Sequence, residues 1–198
     1  MVAARKGSVT RTTKETNISV SVNLDGTGSY EIESGIGFFD HMIEQLAKHS
    51  LIDIHIECQG DLHIDTHHTV EDIGWALGQA LTEAIGDKIG IHRYGHAYVA
   101  MDESLSRAAL DLSARPYLIF NVNFTREHLG KMEVECFREF FQAFSQAGGI
   151  TLHLETLYGE NNHHMIESVF KACAKALRMA VSLDDRAKDV LPTTKGAL

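Results

Sequence analysis

Cysteine is scarce in this chain, and the three it has, Cys58, Cys136 and Cys173, fall in no paired spacing. That excludes a disulfide framework and points to a reducing compartment. Proline is scarcer still, with two residues, and there is no Gly/Ser-rich run. The chain therefore offers no linker, and whatever units it contains are expected to pack closely. No apolar run approaches the roughly 20 residues of a membrane span. The first seven residues also lack the apolar stretch of a signal peptide, so the expected location is the cytoplasm. Positive charge is in deficit, 18 Lys and Arg against 27 Asp and Glu, for a net charge of -9. A general basic surface for nucleic acid or anionic membrane is thereby opposed, although local basic pockets remain open.

What the chain has in quantity is histidine, 12 residues, four of them in two matched motifs. His67-His68-Thr69-Val70-Glu71 recurs as His163-His164-Met165-Ile166-Glu167, each followed by apolar residues at helical spacing. At about 100° per residue the first His and the Glu four positions on share a helix face, and the second His points away. Each helix thus offers a His/Glu pair in one direction and a lone His in another. Two such helices can build two metal sites, each taking a pair from one helix and a single His from another. Imidazole with carboxylate, and no thiolate, suits a borderline ion such as manganese, iron or zinc. The zincin spacing His-Glu-x-x-His is absent, and the Glu-x-x-His of di-iron bundles occurs only at Glu160 and His163, without a partner.

The repeat extends beyond the motif. Ile52-Asp53-Ile54-His55-Ile56-Glu57 aligns with Ile150-Thr151-Leu152-His153-Leu154-Glu155 at an offset of 98, and the His motifs align at 96. Two fused half-repeats follow, 1–92 and 93–185, with a tail at 186–198. In the first half, alternation predicts strands at 8–13 and 16–24, and Asp25-Gly26-Thr27-Gly28 predicts a hairpin turn into 29–33, giving three antiparallel strands. A helix over 38–49, a strand over 51–58 and a helix from His67 to near Gly86 complete it. The second half is expected to repeat this with strands at 95–101, 104–112 and 117–122, a helix over 132–146, a strand at 151–157 and a helix over 162–182. Each half is then an antiparallel sheet covered by two helices, an α+β unit, with the helices of both halves between the two sheets. The tail reads as polar and disordered, yet its hydroxyls, lysine and glycine suit a phosphate oxygen. His55 and His153, alternating within apolar strands, read as structural; His63, His92, His96 and His128 have no motif.

Five motifs in order resemble the imidazoleglycerol-phosphate dehydratase family: Gly35-Ile36-Gly37-Phe38-Phe39-Asp40-His41-Met42, the two His motifs, Arg115-Pro116-Tyr117-Leu118 and Pro192-Thr193-Thr194-Lys195-Gly196. The resemblance covers nearly the whole chain. It implies duplicated halves of the ribosomal protein S5 domain 2-like type and two Mn2+ ions per subunit. It also implies a 24-subunit shell with active sites between subunits, and a lyase of histidine biosynthesis acting on a small phosphate ester. Metal positions correspond to His41, His67, His68, Glu71, His163, His164 and Glu167. Some members have a His where this chain has Glu139, the repeat counterpart of His41 at the offset of 98. Either Glu139 serves as a carboxylate ligand or one ion has lost a ligand. Substrate contacts correspond to Glu15, Gln45, His49, Arg93, Arg115, Thr193, Thr194 and Lys195. The catalytic group implied is Glu15 together with the ligands His41, Glu71 and Glu167.

The chemistry explains the need for such residues. Removing water from the diol to give a ketone requires loss of a hydrogen from a carbon with no neighbouring carbonyl. The electrons must come from the imidazole ring, which as an imidazolate expels the adjacent hydroxyl and becomes a diazafulvene. Two divalent ions suit that ring, and Glu15 suits the proton transfer. Arg93, Arg115 and Lys195 suit a phosphate monoester. A metal-binding scaffold without turnover would need none of these last four residues.

Overall fold

A computed structural model describes residues 4–198; residues 1–3 of the first half-repeat lie outside the described residues. The first half runs β1 (Lys6–Thr12), β2 (Thr16–Asn23), β3 (Tyr30–Glu33), α1 (Gly37–Ser50), β4 (Asp53–Gly60) and α2 (His67–Ile85). The second runs β5 (Tyr94–Met101), β6 (Ser104–Asp111), β7 (Tyr117–Asn121), a small hairpin of β8 (His128–Leu129) and β9 (Met132–Glu133), α3 (Cys136–Gly148), β10 (Thr151–Tyr158) and α4 (Asn162–Val181). The two four-stranded sheets have matching orders, β1-β2-β4-β3 and β5-β6-β10-β7. Strict alternation drives them: β2 buries Ile18, Val20 and Val22, and β10 buries Leu152 and Leu154, toward the helices.

The hairpin expected at 25–28 does not form. β4 enters between β2 and β3, pairing antiparallel with β2 and parallel with β3 in the register Tyr30↔Ile54 to Glu33↔Glu57. The physical reason lies in chain order. β3, α1 and β4 make a strand–helix–strand crossover, which brings its two strands together parallel, and the loop after β2 is long enough to step across one strand. The same crossover recurs in β7, α3 and β10. The helix expected from residue 132 begins instead at Cys136, because Gly130 adopts a left-handed φ of 63° and turns β8 back onto β9. The tail is ordered against β5: Arg93 Nη1 donates to the Pro192 carbonyl at 2.7 Å.

The four helices lie between the sheets. α2 packs on β1 and β2 and crosses α3, whereas α4 packs on β5 and β6 and crosses α1. Each His-His helix therefore meets the shorter helix of the opposite half. Their shared core is aromatic: Phe39, Phe137, Phe140, Phe141, Phe144 and Phe170 are fully buried, with Phe39 and Phe140 edge to face at 5.3 Å between ring centres. Fixing these crossings positions the candidate ligands at the helix N-termini.

Candidate functional site

His163 and His164 occupy the first turn of α4, where the Asn161 side chain accepts from the His163 N–H at 2.9 Å and starts the helix. Asp65, the counterpart of Asn161 at the offset of 96, accepts from the His67 N–H at 2.9 Å. One turn on, Glu167 shares the face of His163, and their Nε2 and Oε2 atoms stand 2.8 Å apart. α1 contributes His41 from the other half, with Nε2 at 3.4 Å from the same oxygen. The donor atoms of His41, His163 and Glu167 all lie within 4.8 Å of one another, the one such set of three among the described residues. Two imidazoles and a carboxylate are a donor set for a borderline divalent ion.

Glu167 is 5% exposed, so its charge needs partners. Burial raises its pKa, but the Lys171 ammonium at 2.7 Å from Oε1 and the His163 hydrogen bond outweigh that and hold it below the usual carboxylate value. Gln45 Nε2 approaches His41 Nδ1 at 3.5 Å. His49, one turn further along α1, has its pKa lowered by burial and then by the charges of Lys171 and Lys175. Gln45 and His49 thus follow His41 at i+4 and i+8 along one stripe.

The lone histidines of the motifs point elsewhere, as the helical spacing requires, and both are held the same way. His68 Nδ1 meets Asp61 Oδ2 at 3.0 Å and His164 Nδ1 meets Glu103 Oε2 at 2.8 Å, leaving each Nε2 outward. Such a carboxylate fixes ring orientation and tautomer, a recurrent support for metal-ligating imidazoles. Beyond each Nε2 stands a second carboxylate, Glu15 at 3.8 Å from His68 and Asp102 at 3.8 Å from His164. The two halves so present one arrangement twice. Each carboxylate lies in the turn between the first two strands of its sheet, β1–β2 for Glu15 and β5–β6 for Asp102.

His67 and Glu71 form a looser pair, 3.7 Å apart and half-exposed. Glu139 bonds Arg138 at 3.2 Å and does not close with them to the spacing that unites His41, His163 and Glu167. A cationic cavity of about 530 Å3 is lined by Arg93, Arg115, Thr193, Thr194 and Lys195 together with Tyr94 and other tail residues. Asp111 holds the Arg93 fork at 2.7 and 3.1 Å and reaches Arg115 at 3.6 Å. None of the metal candidates lines that cavity. The expected residues therefore stand apart in six places within the chain: the three-donor cluster with Gln45 and His49 on the same helix, the outward His68 with Glu15, the outward His164 with Asp102, the His67/Glu71 pair, Glu139 beside Arg138, and the cationic cavity. His55 stands on the outer face of its sheet beside Glu31 and Glu57.

Four supporting residues escaped the sequence reading. Lys171 was legible as the cation four residues after Glu167 on one helix. Asp61, Glu103 and Asp111 carry no motif, and neither repeat offset relates Asp61 to Glu103, so only folding reveals their partners.

With this geometry in place, the chain's likeness to known proteins is specific. The sequence model of the family described as imidazoleglycerol-phosphate dehydratase matches residues 34–177. An imidazoleglycerol-phosphate dehydratase of Cereibacter sphaeroides is 59% identical over 194 residues, 98% of this chain and 100% of that one. One from Methylobacillus flagellatus is 57% identical over 198 residues, covering 100% of both. The crystal structure of the Staphylococcus aureus enzyme superposes with a TM-score of 0.82 at 38% identity, covering 90% of this chain and 99% of that one. That of the Pyrococcus furiosus protein, in complex with (S)-C348, gives 0.82 at 35% identity, covering 96% and 100%.

Proposed function

The chain belongs to the imidazoleglycerol-phosphate dehydratase family and catalyses the metal-dependent dehydration of imidazoleglycerol phosphate in histidine biosynthesis, and from that premise we propose that it works with two Mn2+ ions per subunit at centres completed between subunits. The observation that carries this reading is the cluster of His41, His163 and Glu167. It gathers one centre's donors from both halves while His68 and His164 stand outside it with part-exposed rings, which supports their use by a neighbouring chain. We assign the second centre to His67, Glu71 and Glu139. The outward His68 and His164 of neighbouring subunits complete the two centres.

Bound there, the ions supply Lewis-acid and templating chemistry that favours the anionic form of the substrate's imidazole ring. The ring's electrons expel the neighbouring hydroxyl as hydroxide, which leaves as water with the proton that the enol hydroxyl gives up on becoming the ketone. Only after that expulsion is the hydrogen on the adjacent carbon acidic. Glu15 takes that hydrogen and returns a proton to the ring-side carbon of the enol. It is exposed on the β1–β2 turn beside His68, which supports a place at a subunit boundary. Arg115 and Lys195 bind the phosphate with the hydroxyls of Thr193 and Thr194, because an exposed guanidinium fork matches two phosphate oxygens and an ammonium adds a point charge. Arg93, whose fork is taken by Asp111, adds its charge from the wall of the same cavity. Gln45 and His49 contact the substrate from the stripe that carries His41. The division into 1–92, 93–185 and a substrate-binding tail at 186–198 belongs to this proposal, as do the shell of 24 subunits and a cytoplasmic location.

The test is ketone formation from imidazoleglycerol phosphate by the purified protein, with and without manganese, beside the Glu15→Gln variant. Glutamine keeps the shape and removes the base, so turnover should fall by about two to four orders of magnitude. Metal content should be unchanged, since Glu15 is not a proposed ligand. Near-normal turnover in the variant would show that another group moves the proton.

A further inference from the structure

We propose that the two metal centres are unequal and load in order, the one at His67, Glu71 and Glu139 taking its ion first and the one at His41, His163 and Glu167 second. This rests on the two-ion reading above and concerns the order in which this chain's donors fill. The duplication relates the two sets position by position: Glu139 to His41 at the offset of 98, His67 to His163 and Glu71 to Glu167 at 96. The helices agree, because α3 crosses α2 as α1 crosses α4. At the first crossing Gly74, three residues beyond Glu71, abuts the carbonyl of Phe140, the residue after Glu139. Glu139 and Glu71 therefore flank one helix contact.

Two substitutions between the repeats separate the centres electrically. An imidazole at His41 becomes a carboxylate at Glu139. Lys171, whose ammonium lies 2.7 Å from Glu167, has Trp75 as its counterpart, so Glu71 has no ammonium one turn on. Taking the imidazoles as neutral and counting donors alone, the His41 set carries -1 and the His67 set -2. The well-buried Lys171 cancels the first, whereas the more exposed Glu44, 3.6 Å from His41 Nδ1, and Arg138, 3.2 Å from Glu139, stand at the edges of the two sets. A divalent cation prefers the more negative oxygen-rich set, and hard ions such as manganese favour carboxylate over imidazole. The His41 cluster gains nothing from being closed already. Its donors are close because His163 and His41 bond to Glu167 and Lys171 holds the far oxygen. An ion entering there must break those bonds and sit near an ammonium.

The experiment titrates Mn2+ into the metal-stripped full-length protein, with free Mn2+ followed by its electron paramagnetic resonance signal. Two steps of one ion per chain are expected, differing by about tenfold or more in affinity, the scale on which ligand charge tunes such sites. Glu139→Gln should weaken only the tighter step, and Glu139→His should bring the two together. His163→Ala should abolish the looser step and leave the tighter one, an independent arm should the Glu139 variants fold poorly. Two equivalent ions in the parent protein would overturn the proposal, as would Glu139→Gln acting on the looser step or on neither. A total of one ion per chain would instead overturn the two-ion reading on which it rests.

Discussion

At the start of β4 one carboxylate governs the path of the chain. Asp53 Oδ1 accepts from the N–H of Thr27 at 2.8 Å and of Ser29 at 3.0 Å, and Oδ2 accepts from Asn23 Nδ2 at 3.2 Å. These bonds hold the loop that carries β3 past β2. Burial raises the Asp53 pKa, but the backbone N–H donors outweigh it and bring the value from 3.8 down to about 2. A depressed carboxylate contributes stability that is present above its unfolded value and is lost as pH falls through its folded value. Asp53→Asn should therefore cost on the order of 1–2 kcal/mol near neutral pH by urea unfolding. That cost should hold down to about pH 4 and shrink as the pH falls from 3.8 toward 2, the window between the two values. A cost that persisted at the lowest pH would assign the effect to shape and not to charge.

The crossings of the helices decide which ligands meet. α2 carries Gly74 and Gly78 where α4 has Phe170 and Ala174. A Cβ on Gly78 would lie 2.6 Å from the Phe144 carbonyl, and one on Gly74 would lie 2.5 Å from that of Phe140. By helix propensity alone Gly→Ala would stabilise α2 by about 1 kcal/mol. Overpacking against a backbone carbonyl costs about 1–3 kcal/mol and should win. Gly78→Ala is thus expected to lower the thermal midpoint. A raised midpoint would mean that α3 can shift away freely, and the helix contact flanked by Glu71 and Glu139 would not be fixed.

On the scale of the whole molecule, the outward imidazoles are the feature the single chain leaves unused. His68 and His164 are half-buried, oriented by Asp61 and Glu103, and do not join the three-donor cluster. If a neighbour's cluster takes them, metal binding and assembly favour each other by linkage. Chelation of the manganese-loaded protein should then yield smaller particles by light scattering, and restoring manganese should rebuild the larger ones. An unchanged mass after complete chelation would place each centre within one subunit.

The sequence by itself determined the eight strands of the two large sheets, the two His-His helices, the duplication and the donor chemistry, because each is written in local periodicity or in one repeated motif. The short β8–β9 hairpin, by contrast, has too few residues to show any period. The i, i+4 geometry even separated the paired His163 and Glu167 from the outward His164. Periodicity reports which face of an element is buried, not what lies against it, so only the tertiary structure placed β3 parallel to β4, joined His41 to α4 across the repeat and closed its cluster with His163 and Glu167. The carboxylates that hold His68, His164 and Arg93 were invisible for the same reason. A hydrogen bond between a loop and a distant helix leaves no spacing in the chain, and folding alone brings its two ends together.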